Sequence, residues 1–176
     1  ACPWATRTLI YRQLKELNDH ISVSVVHPDM LEDGWKFDVS FPAATEDHLY
    51  GKKFLREIYQ KADPSITTSV TVPILWDKKN ETIVNNESSQ IIRILNSAFN
   101  NLTGNHDDFY PEDKRAAIDE LNEIIYENVN NGVYKSGFAL SQEAYDSAVS
   151  KLFETLDYLD NRLGQMQFLV GDSFTE

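Results

Sequence analysis

Apolar and polar positions fall into two textures along this chain. Up to about residue 98 the periodicity keeps changing; beyond it the pattern stays helical. Pro3 opens a helical run that continues to Leu17, since proline suits the first helical position, where its missing N–H costs nothing. Residues 21–26 are short and β-branched, which predicts a strand stopped by His27-Pro28. Residues 27–50 are irregular, with Asp33-Gly34 as a turn signal. A helix over 47–62 follows, ended by Asp63-Pro64. Residues 70–77 read as a strand entered through Pro73, 77–80 as a turn, and 81–84 as the returning arm of a hairpin. The polar cluster 85–89 then caps a helix over 90–96. With one more strand ahead of Ala1 the order would be β-α-β-α-β-β-α. Residues 99–110 have a linker's composition, and two helices are expected after it. One runs from Pro111 to about Asn131 on a stripe of Ile118, Leu121, Ile124, Ile125 and Val129. The other runs from Ser141 to about Leu163 with Ala144, Ala148, Leu152, Phe153, Leu156 and Leu159 inward.

Charge narrows the partners. The net charge of −12 argues against nucleic acid and an anionic membrane surface. The acidic side chains of the last two helices read as solvated faces. No run is apolar enough to span a bilayer, and no secretory leader pattern is present. The sequons at Asn80, Asn86 and Asn101 are then chance matches. One cysteine among 176 residues excludes an intrachain disulfide and suits a reducing compartment, the cytoplasm. His20, His27, His48 and His106 have no metal-ligand spacing among themselves or with Cys2, and no phosphate loop or Ser/His/Asp pattern occurs. Neither a metal nor a nucleotide is expected. Both ends look interior, so the sequence is expected to be the middle of a longer protein.

The candidate chemistry gathers at Cys2. At a helix start, unpaired N–H groups and the helix dipole favour an anion, which lowers a thiol's pKa and makes it reactive. The competing reading is a small buried apolar residue. A second helix start, at Glu87-Ser88-Ser89, offers N–H groups to a carboxylate. Val72-Pro73 lies between the two in sequence; a cis bond there would leave the Val72 backbone open to an extended peptide. Thiolate, carboxylate site and peptide-pairing edge together point to glutathione.

Six stretches carry a family likeness: Cys2-Pro3-Trp4-Ala5, Val25-Val26-His27-Pro28, Glu32-Asp33-Gly34-Trp35, Val70-Thr71-Val72-Pro73-Ile74-Leu75-Trp76-Asp77, Asn85-Asn86-Glu87-Ser88, and residues 131–139 from Asn131-Gly132-Val133-Tyr134 on. In this order they resemble the glutathionyl-hydroquinone reductases, the Xi class of glutathione transferases. The resemblance implies an α/β plus all-α fold. Residues 1–98 would form a thioredoxin-like glutathione-binding domain, 99–110 a linker, and 111–176 the start of an all-helical domain. It implies a homodimer, and a reaction in which the Cys2 thiolate attacks the sulfur of a glutathionyl-hydroquinone. Trp35 would cover glutathione, and Val72 would pair with its cysteinyl backbone. Glu87 would take the γ-glutamyl amino group and Ser88 the carboxylate. Tyr134 would face the aromatic substrate or assist the leaving oxygen. Each has a plainer alternative: a core tryptophan, a strand residue, a helix cap, a packing tyrosine. One position departs from the pattern: Ser69 stands where the family has an arginine for the glycyl carboxylate, and a hydroxyl cannot supply that charge-assisted pair. Two other classes fit the scaffold: a non-catalytic binding or regulatory protein, and a general thiol transferase or dehydroascorbate reductase.

Overall fold

Proline at position 3 starts the first helix, α1 (Pro3–Leu14), with Cys2 as its N-cap in an extended conformation. The computed structural model describes residues 2–176; Ala1 lies outside them. The chain divides into a first unit ending at Asp107 and a second, Asp108–Glu176.

In the first unit α1 ends where Leu17 turns its N–H back to Arg12 and the backbone of Glu16 takes a positive φ of 57°. Residues 21–26, expected as a strand, have no ladder partner among the described residues. Val25 accepts the Thr45 N–H and donates to Thr45 Oγ1, and the His27 N–H donates to Lys36. β-Branched composition favours a strand only when a neighbour presents a row of main-chain groups. The expected helix over 47–62 is shorter, α2 (Leu55–Ala62). Asp47 is the reason. Its buried carboxylate accepts the N–H groups of Leu49, Tyr50 and Lys52 at 3.0, 3.3 and 3.0 Å. Those bonds hold the segment as a turn, and Gly51 supplies the φ of +62° that it needs. Glu57 instead opens α2, accepting the N–H groups of Lys53 and Phe54.

Then come β1 (Leu75–Asp77) and β2 (Thr82–Asn85), an antiparallel hairpin with Trp76 opposite Ile83 and Asp77 opposite Thr82. The Asp77 carboxylate closes the turn by accepting the N–H groups of Lys79 and Asn80 and the Asn80 side-chain amide. Helix α3 (Ser88–Ser97) follows, capped by Glu87, whose carboxylate accepts the Ser89 N–H at 3.1 Å. Within the segment read as a linker, Asn100–Thr103 form one more turn, α4, closed by Gly104 at φ +74°. Leu55, Ile58 and Tyr59 of α2 centre the core, with Trp35, Val72, Ile74, Trp76 and Ile83 packed on them. Burying each such large apolar side chain contributes about 1.5–3 kcal/mol.

The second unit is all helical. A 3₁₀ turn at Glu112–Lys114 leads into α5 (Arg115–Ile125). The expected helix to Asn131 does not stop there: a wide π turn, Tyr126–Asn130, joins it to α6 (Asn131–Gly137). Ser141 caps α7 (Gln142–Leu163) by accepting the Ala144 N–H at 3.2 Å. Ile118 and Leu121 pack with Val170, and Leu159 leans on them. Gly132 brings α6 close to Leu152 of α7: a Cβ on it would lie 3.6 Å from Leu152 Cβ. Phe153 and Leu156, expected inward, are exposed; the face of α7 that packs within this unit is the one carrying Leu152 and Leu159. The architecture is thus an α/β unit followed by a helical one.

Candidate active site

Cys2 is half-buried at the start of α1. Its carbonyl accepts the Thr6 N–H at 2.9 Å and the Thr6 hydroxyl at 3.0 Å, which fixes the first turn behind the thiol. Arg7, on the same helix, ties this end of α1 to the start of α3. Its Nε and Nη2 donate to Ser88 Oγ at 3.0 and 2.8 Å, and Nη2 lies 3.7 Å from the Glu87 carboxylate. The guanidinium also sits 5.0 Å from the centre of the Trp4 ring. Ser88 is 2% exposed. Two N–H groups on its oxygen use that atom as an acceptor, so its own proton remains to be donated. The two helix starts singled out in the sequence are therefore joined through one side chain that the sequence reading passed over. Its only signal was a basic residue on the cysteine's own helix.

The Val72-Pro73 peptide is cis. No hydrogen bond among the described residues involves the main-chain N–H or C=O of Val72. A half-buried main-chain pair of this kind needs a partner, water or ligand. Just before it, Thr71 is held by Tyr59, whose phenol donates to Thr71 O at 2.8 Å and accepts the Thr71 N–H at 3.3 Å. Trp35 is half-buried: its ring packs on the Leu55–Tyr59 cluster and its carbonyl accepts the Leu55 N–H at 2.9 Å. Tyr134 belongs to the second unit. It is on α6, partly exposed, with its ring stacked on Phe138 at 6.3 Å between centres. Ser69 is exposed.

Among the described residues, no group of three or more His, Cys, Asp and Glu side chains could hold a metal ion. No described helix is long and apolar enough to cross a membrane.

A thiol at one helix start, a serine–glutamate pair at another, and an open main-chain edge at a cis-proline thus lie on one α/β unit. The chain belongs to the glutathione S-transferase family: residues 1–98 match the model described as "Glutathione S-transferase, N-terminal domain". It is 59% identical over all 176 residues to glutathionyl-hydroquinone reductase YqjG of Escherichia coli K12, and covers 54% of that protein. The glutathione-bound structure of YqjG superposes with a TM-score of 0.97 over 99% of this chain and 57% of the other. Glutathione transferase Xi 1 of Trametes versicolor, 52% identical, superposes at 0.95 over 99% of this chain and 62% of that one. These likenesses set the chain within the Xi class. It spans about half the length of the curated relatives it matches.

Proposed function

We propose that this chain carries the thiol site of a glutathione-dependent reductase of glutathionyl-hydroquinones. One observation carries the reading: Cys2, the only cysteine, caps α1, and Arg7 of that helix reaches Ser88 and Glu87 at the start of α3. In this scheme the Cys2 thiolate attacks the glutathionyl sulfur. The bond from sulfur to the hydroquinone ring breaks, the ring carbon takes a proton, and a Cys2–glutathione disulfide remains. A second glutathione attacks that disulfide, frees Cys2 and leaves as oxidised glutathione. The substrate gains two electrons, and two glutathionyl sulfurs end in one disulfide.

Ser88 donates to the γ-glutamyl carboxylate, and Glu87 takes the amino group. Val72 pairs with the cysteinyl backbone, Trp35 covers the tripeptide, and Tyr134 donates a hydrogen bond to a ring oxygen of the departing hydroquinone. Residues 1–98 act as the glutathione-binding domain, 99–110 as the linker, and 111–176 as the start of the helical domain of a cytoplasmic homodimer. Glutathione is the co-substrate, with no metal or nucleotide.

A second reading, a scaffold kept for binding without turnover, draws its support from Ser69 in the place of the family's arginine. Incubation with glutathionyl-menadione and glutathione separates the two. Release of menadiol that is lost in Cys2→Ser supports the reductase. No release by the intact protein removes that reading, and release that survives Cys2→Ser removes the mechanism. Thiol-transferase activity without menadiol release would favour a general thiol transferase or dehydroascorbate reductase.

A further inference from the structure

Tyr59 is 1% exposed and sits in the middle of the first unit's core, yet its polar end serves main chain and loop rather than its own helix. Its single proton goes to Thr71 O at 2.8 Å. Its oxygen takes the Thr71 N–H at 3.3 Å and the Asn86 side-chain amide at 3.4 Å. Thr71 Oγ1 also lies 3.4 Å from the phenol oxygen, so every polar contact of this hydroxyl is with Thr71 or Asn86. The same amide of Asn86 also reaches Thr71 Oγ1 at 3.4 Å. Thr71 immediately precedes Val72, and Asn86 immediately precedes Glu87-Ser88. One buried hydroxyl thus bonds to both segments that flank the open edge and the α3 start. With both main-chain groups of Thr71 taken, the adjoining Val72 keeps its own N–H and C=O outside any internal hydrogen bond. Packing alone does not require this oxygen, since a phenylalanine ring would fill the same space.

We propose that Tyr59 is a positioning residue for the glutathione site: its hydroxyl sets Val72 and Glu87-Ser88 at the separation a γ-glutamyl-cysteinyl unit spans. This rests on the glutathione reading above. Held segments bind a peptide without first being ordered, and ordering is a large part of what binding costs. The effect therefore falls on affinity for the tripeptide and not on the chemistry of the thiol.

The test uses Tyr59→Phe in the intact protein, which keeps the ring and removes the oxygen. Cys2 is alkylated with iodoacetamide, which needs no peptide site, in the presence of increasing S-methylglutathione, which fills that site without reducing anything. The unprotected alkylation rate should stay within about two-fold of wild type, and the half-protecting concentration should rise about ten-fold. The KM for glutathione in menadiol release should rise by a similar factor with kcat little changed. An unchanged half-protecting concentration overturns the proposal, and so does a change in the unprotected rate as large as the change in protection. Should Tyr59→Phe not fold, Asn86→Ala carries the test. Asn86 is exposed, and a rise of about three-fold is expected; no rise overturns the proposal. Absence of protection in the wild type would refute the glutathione reading itself.

Discussion

Replacing Arg7 with methionine removes the fork that joins α1 to α3 while keeping most of the side chain's stem. Ser88 Oγ, 2% exposed, then loses both N–H donors, which stood at 3.0 and 2.8 Å. The two bonds share one acceptor, so their cost is counted once, as a buried hydrogen bond to a charged group, about 1.5–3 kcal/mol. The Glu87 contact adds little: at 3.7 Å, with that side chain half exposed, it is a surface pair worth less than about 0.5 kcal/mol. The contact with Trp4, 5.0 Å from the ring centre, adds about 0.5 kcal/mol. The expected loss is about 2.5 kcal/mol, nearly two powers of ten in the folding equilibrium. The assay is urea unfolding read by tryptophan fluorescence. Trp4, Trp35 and Trp76, the chain's three tryptophans, all lie in the first unit, so the signal reports the unit that holds Arg7. Arg7→Lys should recover part of the loss, since an ammonium restores charge but not the fork. A change below about 0.5 kcal/mol at constant slope would refute the reasoning, because it would mean that water replaces the guanidinium on Ser88 at no cost.

Two further outcomes follow from local chemistry. Six carboxyls sit below their usual range: Asp38 through Lys36 and then Ser40, Asp63 through Ser65, Asp77 through the Asn80 N–H and side chain and then the Lys79 N–H, Glu81 through Lys61, Glu127 through Lys135, and Asp172 through Lys114. Their folded-state pKa values lie below the unfolded ones, so their contribution is complete above about pH 5 and is lost as pH falls; urea midpoints should drop between neutral pH and about pH 3, and a constant midpoint would contradict this. Ser69→Arg should strengthen glutathione binding about ten-fold if the glycyl carboxylate lies within its reach. Calorimetric titration measures it, and equal affinity would show that the carboxylate is held elsewhere.

Local composition carried much of this protein. Pro3 after Cys2 specifies a helix start, because proline's fixed φ and absent N–H suit that position and few others. The Asp77–Asn80 turn, the Glu87 cap and the Ser141 cap were legible for the same reason, since each is settled by bonds within a few residues. The literal stretches around Cys2, Val72 and Glu87 also sufficed for the family likeness. What escaped the sequence depends on partners far along the chain. Residues 21–26 have strand composition, but a ladder needs a neighbour that composition cannot supply. Residues 47–54 have helical periodicity, but the Asp47 carboxylate takes the N–H groups that a helix would use. Phe153 has a core residue's chemistry and an exposed position.

The same division holds at the site. The sequence alone determined which groups are present and at which helix start each belongs, because caps and prolines act on their immediate neighbours. Only the tertiary structure decided that Arg7 meets Ser88 across 81 residues and that Tyr59 holds Thr71 and Asn86 together. Such contacts form only when the folding of the unit brings distant segments within hydrogen-bond range, and no local propensity encodes that distance.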